Sequence, residues 1–516
     1  MRNQRTPHLS LFAVLMTAVL GLSLILPAPS TADPGATAEL ARNWRQAHEQ
    51  QIVNEFAGLL RIPNVASDTA NIRRNAGHIA GLLRPRGFEV RLLEVEGAPP
   101  AVFAERRAAG AERTLMIYAH YDGQPVDPAE WASDPWTPVL RDGPVELGGR
   151  DVPMQAPFDP EWRIFARSAG DDKAPIIALA AALDALAASG IEPSVNLKLF
   201  LDGEEEAGSP HLQQVLSEHR ELLASDLWLF CDGPVHQSRG WQLVYGVRGS
   251  TGFDLTVYGP NRPLHSGHYG NWAPNPIARL LELLATLRSP DGQILIDGFH
   301  DQVVPPTPGE LAAIEAAPRV DEQLLAELGI GRPETDERLE LSIMRPALNL
   351  QGIRSGGVGA QATNSIQTSA TASIGLRLVP AQTPEFLRDA VERHISAQGY
   401  FVVHDEPSAE QRAAHDRIAR LDWEEAGYPA YRAPLDLPIA QAVAEIVDQL
   451  RDEPLIRLPT MGGSLPIYLI EQATGAPVVI LPIANHDNNQ HGRNENLRLQ
   501  NLWDAIEIYA AVLTNL

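Results

Sequence analysis

Apolar residues recur at helical spacing from Trp44 to Leu60 and from Ile72 to Leu83, and Pro or Gly follows each run. Phe88 to Val95 alternates like a strand, and Thr114 to Ala119 is a short apolar run that stops at His120. Pro175 to Ala188 is apolar on most of its circumference, with Pro at its start and Gly190 beyond its end. That pattern predicts a buried helix. Asn196 to Leu201, Ser225 to Cys231 and Pro477 to Pro482 are further short apolar runs. Strands separated by helices predict an α/β fold, with a largely parallel sheet and helices on both faces. Sites in such sheets form beyond the carboxyl ends of the strands. His120, Asp122, the Glu204-Glu205-Glu206 run and Asp232 all follow strand ends, so residues far apart in sequence collapse onto one rim.

The texture changes between Tyr245 and about Tyr428. Ser250 to Tyr258 alternates, Pro276 to Leu287 is an amphipathic helix, and Glu385 to Ser396 is another helix. From Ile366 to Leu378, apolar Ile366, Ala370, Ala372, Ile374, Leu376 and Leu378 share one face, while Gln367, Ser369, Ser373 and Arg377 take the other. This predicts an antiparallel sheet with one wet face, inserted into the first domain. The charged, Pro-bounded stretch Glu406 to Glu425 reads as the return linker. The expected division is residues 35–246 and 428–516 for the parallel-sheet domain and 247–427 for the insertion.

Composition narrows the classes. A chain of 516 residues with 44% hydrophobic content can bury one large core or two ordinary ones. A formal charge of −24 argues against nucleic acid or an anionic membrane as partner. Residues 1–32 resemble a signal peptide: Arg2 and Arg5, an apolar run from Leu9 to Leu26, then Ser30-Thr31-Ala32. An uncleaved anchor helix is the alternative; Pro27, Pro29 and the small residues favour cleavage near Ala32 and a periplasmic or secreted protein. Cys231 is the only cysteine, sits in an apolar strand, and is expected to be buried and inert. Lysine occurs only at Lys173 and Lys198, so a lysine inside a motif stands out.

Candidate chemistry gathers at six places. Ala119-His120-Tyr121-Asp122 closes a strand, and an Asp two residues on can accept the second ring N–H of a metal-bound His. Asp171-Asp172-Lys173 precedes the buried helix; a bridging carboxylate and a simple N-cap are both open readings of Asp171. Glu204-Glu205-Glu206 follows a strand, where adjacent acids need cations unless the loop is merely solvated. Asp232-Gly233 is equally an ordinary turn, and the loop Asn485 to Asn496 carries His486, His491, Asn494 and Glu495. His265-Ser266-Gly267-His268 could be a mobile donor or plain surface. Together His120, Asp171, Glu206, Asp232 and His491 supply nitrogen and oxygen ligands suited to Zn²⁺, with Glu205 adjacent as a base. Two such ions clamp and activate a bridging water, which makes the chain a candidate metallohydrolase.

Taken in order, these segments resemble the dinuclear-zinc exopeptidases: carnosinase-type dipeptidases, glutamate carboxypeptidase, aminoacylases and succinyl-diaminopimelate desuccinylase. His120-Tyr121-Asp122-Gly123-Gln124-Pro125-Val126, Asp134-Pro135-Trp136 and Gly246-Val247-Arg248-Gly249 are most similar to the carnosinase-type branch. The resemblance implies two Zn²⁺ per chain, with Mn²⁺ and Co²⁺ fitting the same donors. His120 and Asp232 would hold one ion, Glu206 and His491 the other, and Asp171 both. It implies Glu205 as general base and Asp122 orienting His120. It further implies that the insertion forms a homodimer as a lid and that His265 serves the partner's site. Arg377 would hold a substrate carboxylate, with Asn364 near the oxyanion and Gly463 and Ser464 in a substrate-contacting loop. The implied substrates are dipeptides or short peptides, with N-acyl amino acid deacylation and, more remotely, non-catalytic metal binding as rivals.

Departures from the family pattern touch no implied ligand. Ser168 and Ala174 stand where Gly is usual, Thr460-Met461 where Arg-Glu is common, and Gln367 where Pro is frequent. The Gly/Pro-rich stretch Gly143 to Trp162 is unusually long, and a reshaped entrance is expected from it.

Overall fold

Every residue of the strand Thr114–His120 after Thr114 is buried, which is what a central strand covered on both faces requires. The computed structural model describes residue 1, residues 33–424 and residues 427–516, so nearly all of the stretch expected to be a targeting segment lies outside the described residues. Thr114–His120 lies inside an eight-stranded sheet. In order across that sheet run Glu89–Leu93, Ala101–Arg106, Asn196–Asp202, Thr114–His120, Leu227–Phe230, Val478–Ile480, Gln242–Val244 and Ile456–Leu458.

The centre is parallel, as the sequence predicts: Asn196–Asp202, Thr114–His120, Leu227–Phe230 and Val478–Ile480 all run one way. The margins differ. Glu89–Leu93 pairs antiparallel with Ala101–Arg106, because a loop this short permits only a hairpin. Ala101–Arg106 also meets Asn196–Asp202 antiparallel, and Val478–Ile480 meets Gln242–Val244 in the same sense.

Helices Pro34–Leu60, Ala174–Ala188 and Leu499–Asn515 pack together on one face and form the largest core, in which Ile177, Leu502 and Trp503 are inaccessible to solvent. The other face carries Leu212–Glu218 and Ile467–Thr474 over an aromatic layer. There Tyr118 stacks on Phe230 with ring centroids 3.9 Å apart. Among the described residues no helix is long and apolar enough to cross a membrane.

A second sheet orders Ala347–Arg354, Ser369–Leu378, Gly249–Tyr258, Ile418–Trp423 and Phe401–Val403, antiparallel except for the last pair. Its inner face, including Ala370, Ala372, Ile374, Leu376 and Leu378, packs against Pro276–Leu287 and Pro384–Ala397. Two expectations change here. The alternation from Ile366 to Leu378 is two strands, since Ser365–Ile366 pairs separately with Leu264–His265. The stretch taken as a return linker contains the helix Ala409–Ala414 and the strand Ile418–Trp423. Only Ile418, Ala419 and Leu421 of that strand are buried, too short an apolar signal to stand out among charges. The Gly143 to Trp162 stretch helps build a four-stranded sheet of Asn496–Arg498, Arg163–Phe165, Val139–Arg141 and Asp151–Val152.

Trp503 joins the three helices beneath the site, with the Arg45 guanidinium 5.2 Å from its ring centroid. Trp503→Ala should cost about 3–5 kcal/mol, read as a lower urea midpoint at unchanged m-value. A midpoint within experimental error of the parent would show that this helix layer does not carry the stability assigned to it.

Candidate metal centre

His120 ends its strand fully buried, and its Nε2 lies 2.7 Å from Asp171 Oδ1 and 3.9 Å from Asp232 Oδ2. The other ring nitrogen, Nδ1, lies 3.3 Å from Asp122 Oδ1. Asp122 does a second job. Its two oxygens accept from the backbone N–H groups of Glu205 and Glu206, each at 3.1 Å. One buried carboxylate thus ties the histidine strand to the glutamate turn.

Asp171 lies just before the helix Ala174–Ala188, and its peptide bond to Asp172 is cis. While its Oδ1 faces His120, its Oδ2 lies 3.2 Å from His491 Nε2. His491 Nε2 is also 3.2 Å from Glu206 Oε2, and Glu205 Oε2 is 4.0 Å from His120 Nε2. Two groups result, His120–Asp171–Asp232 and Asp171–Glu206–His491, each with one ligand atom per residue within 4.8 Å of the others. The structure brings together all five residues that the sequence proposed as ligands, with the proposed base beside them.

The electrostatics favour bound cations. Burial, then the Asp171 charge, pushes Glu206 up to about 8 and Asp232 up to about 7. Burial also holds Glu205 well above the carboxylate range. Burial disfavours charge on His120, yet hydrogen bonds to Asp122 and Asp171 hold it well above the usual histidine value. The Asp171 carboxylate, whose Oδ2 lies 3.2 Å from Nε2, foremost raises His491 to about 8. Among the described residues the ion pairs of Asp171, Asp232, Glu205 and Glu206 are with histidine alone. Lys173 turns its ammonium away to Leu59 O and Ile62 O, both at 3.1 Å. Asp171 Oδ2 is buried without a hydrogen-bond donor. Oxygen and imidazole donors, clustered and short of positive charge, fit divalent cations.

Glu495, which the sequence offered only as one member of a polar loop with no role of its own, anchors the loop that carries Asp171. It is inaccessible to solvent; Oε1 accepts from Gly170 N and Asp171 N, and Oε2 from Ser168 N and Arg167 Nη1. In a polar loop, nothing in the sequence marks it as buried. Ser168, in place of a usual Gly, adopts φ 62°, a left-handed conformation that glycine takes more readily. Its hydroxyl accepts from Asn64 Nδ2 at 2.8 Å and donates to Asp122 O at 3.2 Å, which supports serine there. Gln124 Nε2 donates to Glu206 Oε2 at 2.8 Å. Cys231 is buried, and burial pushes its thiol further up, as expected of an inert cysteine.

A cavity of about 440 Å³ opens from Asp171, Glu205, Asp232 and His491. Arg377, Gly463 and Ser464 line it too, and Arg377 Nη1 donates to Ser464 Oγ at 2.6 Å. Thr460 and Met461 lie on its wall, whereas no residue of the Gly143 to Trp162 stretch does, so the expected reshaping of the entrance is not seen in this lining. Of that stretch, Asp151–Val152 joins the four-stranded sheet. His265 and Asn364 also lie outside this lining. Both are exposed, on the small ladder of Leu264–His265 with Ser365–Ile366, where Ser266 N donates to Asn364 O at 2.9 Å.

A family model described as Peptidase family M20/M25/M40 matches residues 116–515. The chain belongs to this family. This M20 protein is a metal-dependent peptidase. It is 27% identical over 432 residues to a Cys-Gly metallodipeptidase of Schizosaccharomyces pombe, covering 81% of this chain and 83% of the relative. Against a Beta-Ala-His dipeptidase of Mus musculus it is 26% identical over 435 residues, covering 81% and 80%. Among solved structures, the Saccharomyces cerevisiae di-peptidase Dug1p shares the fold, with a TM-score of 0.74 and 22% identity over 93% of this chain and 98% of that one. Human carnosine dipeptidase 1 does so with a TM-score of 0.74 and 21% identity, over the same shares.

The raised pKa values set a pH dependence. Unfolded, Glu206 and Asp232 titrate near 4.5 and 3.8; folded without metal, they keep a proton to about 8 and about 7. The folded state binds more protons across that interval, so stability falls as pH rises from about 4 to about 8. His491, raised to about 8, loses its charged contacts in the upper part of the same window and adds the same sign. A thermal midpoint of chelated M20 protein that falls from pH 5 to pH 8, and recovers most at pH 8 when Zn²⁺ is added, is expected. A midpoint rising with pH under chelation would contradict the charge balance described.

Proposed function

We propose that the protein is a dinuclear zinc dipeptidase that hydrolyses the amide bond of dipeptides or short peptides bearing a free carboxylate. The observation that carries this reading is Asp171, which turns one oxygen toward each ligand group. It does so in a cavity that Arg377 and Ser464 also line. Relatives named for Cys-Gly and Beta-Ala-His support a dipeptide as substrate.

Two divalent cations, when bound, supply Lewis acidity and a water of lowered pKa. His120 and Asp232 would hold one cation, Glu206 and His491 the other, and Asp171 both. Asp122 keeps the His120 ring oriented and, through the same carboxylate, the Glu205–Glu206 turn in place. Glu205 lines the cavity, and bound cations would favour the carboxylate form that burial alone disfavours. It accepts the proton of the attacking water and delivers it to the leaving nitrogen. Arg377 holds the substrate carboxylate, which favours exopeptidase action. Residues 35–246 with 428–516 form the catalytic part of this reading, and 247–427 the lid.

A homodimer belongs to the same proposal. His265 is exposed and outside the cavity lining of its own chain, as a residue serving another copy would be. Ala347–Arg354 is an edge strand, and Leu350 and Ile353 on it are 40% and 51% exposed. An open edge with exposed apolar residues favours pairing with a second copy.

Glu205→Gln should retain two metals per chain by elemental analysis and lose at least about 100-fold in kcat on a dipeptide panel. An active, metal-loaded Glu205→Gln protein would remove Glu205 as the base. His265→Ala should lose a comparable factor, about 100-fold, if it steadies the oxyanion. Mixing unfolded and refolded His265→Ala and Glu205→Gln chains should then restore part of the activity, since one site of each mixed dimer regains both residues. Failure of the mixture to recover would argue that His265 does not act across subunits.

A further inference from the structure

Arg377 has company at its end of the cavity. Arg248 is only 8% exposed, and its Nε and Nη2 are shut off from solvent with no hydrogen-bond partner among the described residues. Its main chain is fastened to the substrate loop: Arg248 N donates to Gly463 O at 3.1 Å, and Ser464 Oγ lies 3.4 Å from Gly249 O. Two residues on, Ser250 stands directly across the ladder from Arg377.

The two guanidinium groups feel each other. Burial, and then the Arg377 charge, lowers Arg248 to about 10, and no carboxylate among the described residues contributes. Glu424 is close enough to Arg377 to be drawn down by it, yet burial keeps Glu424 above the ordinary carboxylate range, and it makes no contact pair with either arginine among the described residues. A buried guanidinium without a counter-ion is costly, and a second cation beside it adds repulsion. Such an arrangement gains most when an anion arrives. Arg248 does not line the cavity itself, so Arg377, which does, is the group through which it can act.

We propose that Arg248 is a positioning residue for the carboxylate end of the site: its uncompensated charge, set behind Arg377, keeps that guanidinium directed into the cavity and strengthens selection for a free carboxyl terminus. This rests on the dipeptidase reading given above. Arg248 touches no reacting atom, so its effect falls on KM and depends on substrate charge.

The test compares a dipeptide with its C-terminal amide, using Zn²⁺-loaded full chain and the variants Arg248→Met, Arg248→Lys and Arg377→Met. Arg248→Met is expected to raise KM for the free dipeptide roughly tenfold, a modest value for a partly screened charge, with kcat held and KM for the amide unchanged. Arg248→Lys, which keeps the charge, should restore most of the loss. Equal losses on dipeptide and amide, or a Lys variant as impaired as Met, would overturn the proposal in favour of a packing role. Should Arg248→Met fail to fold, the Lys variant still decides, because raised ionic strength must then weaken its binding of the dipeptide and leave the amide unaffected. If the parent enzyme shows no preference for the free carboxylate, the reading of Arg377 fails first; if Arg377→Met abolishes a preference that Arg248→Met leaves intact, only the present proposal fails.

Discussion

Acidic side chains crowd a water-poor rim at the carboxyl ends of parallel strands, and most of the local architecture serves to hold them there. Asp171, Asp232, Glu205 and Glu206 share two imidazoles and have no lysine or arginine in contact among the described residues. Burial first, and then the Asp171 charge, pushes Asp232 up to about 7 and Glu206 up to about 8, toward their protonated forms. Divalent cations bound there would replace those protons at neutral pH. The family's dependence on metal is, in this sense, written into the charge balance of the rim.

Two buried acids outside the ligand set make the geometry rigid. Asp122 joins the His120 strand to the Glu205–Glu206 turn through three contacts. Glu495 gathers Arg167, Ser168, Gly170 and Asp171 into a fixed loop through four. Each acid satisfies several N–H groups at once, which is how a negative charge can be buried without a metal of its own. Their consequence is catalytic in kind: ligands held in register by such partners need little rearrangement when cations bind.

The cavity connects this rim to a different chemistry. Glycine, threonine, methionine and leucine line its middle, while Arg377 and Ser464, drawn from separate sheets and loops, add a positive group with a hydroxyl partner. A site assembled between a parallel sheet and an antiparallel insertion can separate the bond-breaking step from carboxylate recognition. Arg248 extends that second function from behind the cavity wall.

Sequence periodicity alone determined the buried helix that the structure sets at Ala174–Ala188, the strand ending at His120 and the amphipathic helix Pro276–Leu287, because each repeats a burial pattern long enough to exceed chance. The ligand candidates were legible through the ordered motifs that resemble the family's, since several of these residues alone read equally as a cap, a turn or a solvated loop. Tertiary structure decided the rest. The strand Ile418–Trp423 buries too few residues to announce itself, and the antiparallel margins of the large sheet depend on which strands become neighbours. Glu495 and Arg248 are ordinary charged letters in the sequence. Their roles arise only when folding removes water from them and sets specific partners, or none, within reach.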